Sequence, residues 1–424
     1  MTTAAAQVGG EVEARFGNLR HLALSAFWFG SFFLWLPISS VLLQDRADHL
    51  VPRHDLQNTA IGIAAGIGGF LAVTVPPIVG AWSDRLNTRF GRRRPIMVVG
   101  TVLTLPGLFL MMAAGNFPEL VLGYAIIQFF FNAAGAAYAG VVPDVVPAQQ
   151  FGKASGFLGS MTLLGIAGGN GATFALGDVP LLYFLIALVV VVSIVPTLWA
   201  ARGEGAIAPV LPAHAPLRDT VREFLRPLHE GDLAWVIFTR LMVSAGIAVV
   251  QLNLVNFFRD VVLGGKSAVQ FTAIWLLVVT VTALPFGFLG GQLSDRLGRR
   301  KVFVYTAGAA QAFVALVFVI FYPTAQPLVF ALGIAYGIGY GLYYAVDWAL
   351  ACDTLPDKSK SAKDMGLFHV ALTFPQAIVP FFAGPLIDLI NGPHGNGGYR
   401  VVFSSAVVFM ALGTLFVSRI KAVR

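Results

Sequence analysis

Charged residues divide this chain into long apolar runs. Lys, Arg, Asp and Glu are absent from residues 21–44, 56–83, 95–118, 120–143, 154–177, 179–201, 241–258, 267–294, 302–346, 365–387 and 401–418. A helix needs about 20 apolar residues to cross a hydrocarbon core, so each run is long enough for one crossing. The run 302–346 is long enough for two, and Tyr322-Pro323-Thr324-Ala325-Gln326-Pro327 inside it is a turn signal with two prolines. The pattern therefore predicts twelve transmembrane helices. The first run is too long for a cleaved signal peptide and no small-residue cleavage site follows it.

Composition agrees. Of 424 residues, 57% are hydrophobic and 12% charged, against about 25% charged in a soluble protein. The net charge of +7 would suit nucleic acid if it were clustered for that purpose, but its distribution follows topology. With both termini placed in the cytoplasm, 22 of the 28 Lys and Arg residues fall in cytoplasmic segments, as expected of retained cationic loops. Arg46, Arg53, Arg259, Lys266 and Arg400 fall in outer loops, and Arg240 lies inside a span. The expectation is a multi-pass protein of the plasma (cytoplasmic) membrane, the inner membrane in a bacterial cell, with no nucleic-acid partner. The single Cys352 excludes a disulfide scaffold and a cysteine metal site, and no metal or other cofactor is expected.

Two turns repeat. Residues 80–95 hold Gly80, Asp84, Arg85, Arg89, Gly91, Arg92, Arg93, Arg94 and Pro95 after helix 2; residues 291–301 hold Gly291, Asp295, Arg296, Gly298, Arg299, Arg300 and Lys301 after helix 8. Asp84 and Asp295 are 211 residues apart, and Asp144 and Asp353, which close helices 4 and 10 ahead of a proline three residues on, are 209 apart. The chain reads as a duplicated array: a six-helix half at 1–201, a linker at 202–232 and a second half at 233–424. Such repeats place a binding site near the bilayer midplane between the halves. In the linker, Leu217, Val221, Phe224, Leu225 and Leu228 share a helical face and Arg218, Arg222 and Arg226 step along another. That pattern suits either a helix lying on the inner leaflet or a solvated connector.

At these turns the sequence resembles the major facilitator superfamily, whose motif between helices 2 and 3 is Gly-x-x-x-Asp-Arg-x-Gly-Arg-Arg-(Arg/Lys). The second copy fits it closely. The first carries four extra residues and is similar to the branch of sucrose transporters and related glycoside–cation symporters. The resemblance implies an all-α membrane fold of two pseudo-symmetric six-helix halves, with helices 1, 4, 7 and 10 around a central cavity. Physically, an Asp at the end of a helix beside several Arg can hold a facing helix terminus in one conformation and release it in another, biasing a two-state equilibrium. Asp84, Arg85, Arg89, Gly91, Arg92, Arg93, Asp144, Asp295, Arg296, Gly298, Arg299, Arg300 and Asp353 are expected to form this conformational latch. The simpler alternative is a topology anchor.

Charge within a span is costly and marks function. Arg240 and Asp347 stand at similar depth in helices 7 and 10, as a structural ion pair, an inner gate, or a proton site with Asp347 neutralised. Sugar hydroxyls call for amides and aromatic faces. The candidates are Trp28, Phe32 and Trp35 on helix 1, Gln128 and Asn132 on helix 4, Gln251 and Asn253 on helix 7, Tyr336, Tyr340 and Tyr344 on helix 10, and His369 and Gln376 on helix 11. The coupling Asp that the resemblance would place on helix 4, sixteen residues before Asp144, is Gln128 here. No carboxylate occurs in 58–81, against a sodium site of the melibiose-carrier kind. Glycines such as Gly62 and Gly66 permit close helix contact.

The expected function is secondary transport of a small polar solute, a disaccharide or related glycoside, by proton symport in a monomer. No ATP-binding Gly-x-x-x-x-Gly-Lys-Ser/Thr turn occurs, and no catalytic constellation marks an enzyme. Efflux of an amphipathic compound, or an assembly role on the same fold without transport, are the alternatives.

Overall fold

The computed structural model describes residues 16–86, 88–147, 150–177, 180–202, 228, 231–264, 268–354, 361–391 and 395–421. Among these, the long helices follow the apolar runs: α1 Asn18–Leu50, α2 Gln57–Arg85, α3 Arg94–Ala113, α4 Phe117–Val145, α5 Phe151–Leu176, α6 Pro180–Ala200, α7 Gly231–Gln251, α8 Val269–Leu297, α9 Arg300–Phe321, α10 Gln326–Asp353, α11 Ser361–Asn391 and α12 Gly397–Phe416. The described residues contain no strand. Eleven of the helices are long and apolar enough to cross a bilayer. The other, α5, has 26 residues but is diluted by Gly168, Gly169, Asn170 and Gly171.

Local chemistry sets the boundaries. The Asn116 side chain accepts from the Glu119 backbone N–H at 3.0 Å and donates to the Glu119 carboxylate at 2.8 Å, a reciprocal cap that starts α4. Gly298 ends α8 at φ 59° and Gly91 sits at φ 98° in the α2–α3 turn. A side chain at either would strain the left-handed backbone, so the glycine of each repeated motif is a turn requirement. α1 contains a π turn at Ile38–Leu42, next to Pro37. α7 breaks at Leu252 and Asn253, resumes at Leu254–Phe257 and closes in a π turn at Phe258–Val262.

The packing repeats with a step of six helices. α1 lies on α5 and α6, α2 on α4, and α3 on α4 and α6; α7 lies on α11 and α12, α8 on α10, and α9 on α10 and α12. One apolar core runs from Phe16 to Ala201, and a second from Val236 to Ile420 with Val41 added from α1. Between them, α2 meets α11 and α5 meets α8, pairs that the same step exchanges. Large apolar side chains such as Phe70, Leu188, Phe321 and Leu389 face outward, as a lipid-embedded surface requires. Of the linker 202–232, only Arg202, Leu228, Gly231 and Asp232 are among the described residues, so the amphipathic pattern of 217–226 lies outside them; Leu228 is exposed.

Candidate functional site

The ends of the bundle differ in chemistry. At the arginine-rich end, where α2 turns into α3 and α8 into α9, the start of one helix is clamped to the end of another. Arg92 donates to Asp144 from Nη2 at 2.6 Å and from Nε at 3.1 Å, Arg93 Nε adds a third bond at 3.2 Å, and Arg93 Nη1 reaches the Ser83 hydroxyl at 3.1 Å. In the second half, Arg300 Nε pairs with Asp353 at 2.5 Å. Fork-shaped guanidiniums suit this bidentate geometry. Each cluster ties helices of one half together. Arg89, Arg296 and Arg299 are exposed, with Arg89 over the Phe90 ring at 4.6 Å. The side chains of Asp84, Arg85 and Asp295 lie outside the described ones.

Midway along the helices, the sequence candidates form two groups. In the first half, Gln128 is buried and donates to the Tyr124 hydroxyl at 2.7 Å, while Asn132 donates to the Gln128 backbone carbonyl at 2.7 Å and to its amide oxygen at 2.9 Å. Trp28 stacks on Tyr138 with centroids 5.5 Å apart and meets Phe32 edge-on; Trp35 meets the edge of Phe131. All three residues are half-buried. In the second half, Tyr336, Tyr340 and Tyr344 form a ladder with centroids 6.4 and 4.6 Å apart, and Gln251 lies near Tyr340. Asn253 is buried and donates to the Val249 carbonyl at 2.8 Å, so it serves the α7 break. Gln376 is exposed on α11, and the His369 side chain lies outside the described ones.

Arg240 and Asp347 make a direct ion pair between α7 and α10, both buried, and the guanidinium also lies over the Phe368 ring of α11 at 3.8 Å from its centroid. Arg240 Nε is buried without a hydrogen-bond acceptor among the described residues. Charges this buried are held only with a partner. All three helices belong to the second half, so this contact braces that half internally.

The opposite end carries a network that charge counting along the chain did not single out. Arg259 pairs across the halves with Asp48, both largely buried, and grips its neighbour Asp260 at 2.7 Å; Tyr399 donates to Asp260 at 2.7 Å. The Arg259–Asp48 separation is 211 residues, the interval between the two motif aspartates. The pair thus joins equivalent positions of the two repeats. Beside it, Asn58 donates to Asp388 at 2.7 Å, the Thr59 N–H donates to the same carboxylate at 2.6 Å, and Asn256 donates to the Asn58 side-chain amide oxygen at 2.7 Å. The small faces of Gly62, Gly66 and Gly69 rest against Pro380, Phe381 and Ala377 of α11. The described contacts between the halves therefore crowd toward one end.

The sequence profile of the Major Facilitator Superfamily matches residues 21–368. No curated protein matches the chain. Among solved structures, the nucleoside transporter NupG superposes with a TM-score of 0.67 at 14% identity, over 96% of this chain and 100% of that one; a mutant form of it gives 0.72 at 13%, over 95% and 100%. A bacterial homolog of the human lysosomal transporter Spinster, inward-facing and unoccupied, gives 0.69 at 14%, over 95% and 97%. At these identities the likeness concerns the fold.

Proposed function

We propose that this chain, which belongs to the Major Facilitator Superfamily, carries a small polar solute across the plasma membrane by alternating access, most simply a sugar moved together with a proton. The observation that carries the reading is the uneven contact between the halves. Asp48–Arg259, Asn58–Asp388 and the α2–α11 glycine seam hold one end together, and among the described residues no hydrogen bond or ion pair joins the halves at the other. With the arginine-rich end in the cytoplasm, as cationic loops favour, both termini are cytoplasmic and the passage opens inward. The two rocking bodies are the six-helix halves 1–201 and 233–424, and no second copy is needed.

The polar groups at mid-depth suit hydroxyl-rich solutes. Gln128 and Asn132 offer amide donors and acceptors, Gln251 does so beside the tyrosine ladder, and Trp28 and Phe32 offer aromatic surface for the apolar face of a ring. Asp347, buried in α10 beside Arg240, is the acidic side chain to carry a proton, and Arg240 would hold its charge between cycles. The motif clusters around Asp144 and Asp353 set the stiffness of the arginine-rich end, where the halves must close when the passage reverses.

Uptake into proteoliposomes tests this. Labelled sucrose, maltose, glucose and trehalose are offered with and without an inward proton gradient, and uridine is added because its ribose presents vicinal hydroxyls beside a flat base. At least one sugar is expected to accumulate against its gradient, and a protonophore should abolish the accumulation. Uptake of none of the sugars would overturn the sugar reading, and accumulation that ignores the protonophore would overturn proton coupling.

A further inference from the structure

Away from the passage, the arginine-rich end has a polar feature on its outer surface. α3 and α6 pack side by side, and between them lies a groove of about 520 Å³ lined by Arg94, Val195, Pro196, Leu198, Trp199 and Arg202. Arg94 is the first residue of α3 and Arg202 stands just past the end of α6. Two arginines therefore line the same end of the groove.

A third cation, Arg20, is already engaged. It donates to the Ala200 carbonyl at 2.9 Å and to the Arg202 carbonyl at 2.6 Å, satisfying the negative end of α6. Arg94 and Arg202 have no carboxylate partner among the described residues, and Arg94 Nε is a buried donor without an acceptor. Arg94 Nε is closed to solvent, so a ligand would meet the groove's cations at their outer nitrogens, and what would pair with these two unpartnered charges is an anion from outside the helices.

Below the cations the surface is apolar. Val195 and Trp199 are 62% and 44% exposed, and the outward side chains continue along α6 through Leu188, Val191 and Val192 and along α3 through Val98, Val99 and Val102. A free inorganic anion would gain nothing from these strips. A phosphate joined to acyl chains would gain from both parts: guanidinium forks match phosphate oxygens, Trp favours the depth of the headgroup, and basic pockets between membrane helices suit anionic lipid heads.

We propose that the α3–α6 groove is a binding site for an anionic phospholipid, with its phosphate between Arg94 and Arg202, its glycerol against Trp199, and its chains along α3 and α6. Because Arg94 adjoins Arg92 and Arg93, the lipid braces α3 beside the Asp144 cluster. The site is independent of the solute carried.

The test places the full-length protein in nanodiscs of phosphatidylcholine with a minor fraction of phosphatidylglycerol. Native mass spectrometry after gentle release counts the lipids retained. The wild type is expected to keep phosphatidylglycerol over the excess neutral lipid. Arg94→Gln/Arg202→Gln should lose that preference about tenfold, as removal of charge-assisted contacts implies. Arg202→Gln alone changes an exposed side chain and should lose part of it with folding intact, whereas Arg419→Gln, outside the groove, should keep it. Equal retention by the wild type and both Arg202 variants overturns the proposal. Displacement of phosphatidylglycerol by millimolar inorganic phosphate also overturns it, because the site would then recognise a free ion.

Discussion

At the scale of single residues, the Arg240–Asp347 pair has the sharpest consequences. Removing one partner leaves the other charged and buried, at a cost of about 3–5 kcal/mol, whereas replacing both with apolar groups of similar volume is near neutral. Arg240→Met should therefore lower the melting temperature in detergent markedly, and Arg240→Met/Asp347→Leu should recover most of the loss. A double variant no more stable than the single would show that the two charges are not coupled. Function is tested apart from stability: Asp347→Asn should retain solute exchange in counterflow while losing gradient-driven accumulation, and unchanged accumulation would remove Asp347 from the coupling step. These two residues were legible because apolar residues flank each on both sides, at 233–239 and 241–258 and at 302–346 and 348–352. Asp48, Asn58, Arg259 and Asp388 were not, since a charge or amide at the end of a run looks like a loop residue. Only the packing of α1, α2, α7 and α11 shows that they meet.

At the scale of helices, the twelve crossings could be read from charge-free runs and one proline-rich turn, because the cost of burying charge in lipid acts on each segment separately. The π turns in α1 and after α7, and the break at Leu252 and Asn253, left no mark in that pattern; they depend on how each helix meets its neighbours. The glycines could be assigned to close contact in general, and the structure separates their duties. Gly91 and Gly298 permit left-handed turns, while Gly62, Gly66 and Gly69 form the α2 seam against α11. Gly69→Val would drive its side chain into the Ala377 backbone, so it should part the seam. In a Cys352→Ser background, a cysteine replacing the buried Asn256 should then be alkylated severalfold faster than in the parent protein. Gly80→Ala, whose Cβ meets nothing within 4 Å, should leave the rate unchanged. Equal rates for the two glycine variants would contradict the assignment of the seam.

At the scale of the whole molecule, the duplication was written in the 211- and 209-residue intervals of the motif aspartates. It reappears as the contact of Asp48 with Arg259. Sequence intervals cannot say which end of a two-body carrier is shut, because that is a property of one conformation; the crowded contacts at Asn58, Gly62 and Asp388 supply it. If the pair and its neighbours hold that end closed, Arg259→Ala should shift the population toward the state open on that side. The most direct measurement is double electron–electron resonance between spin labels on the exposed residues Phe90 and Leu297 at the arginine-rich end, and on Arg53 and Asn396 at the other. Arg259→Ala, and separately a transported solute, should shorten the first distance while lengthening the second. Two distances that stay fixed under both changes, or that lengthen together, would contradict alternating access between the two halves.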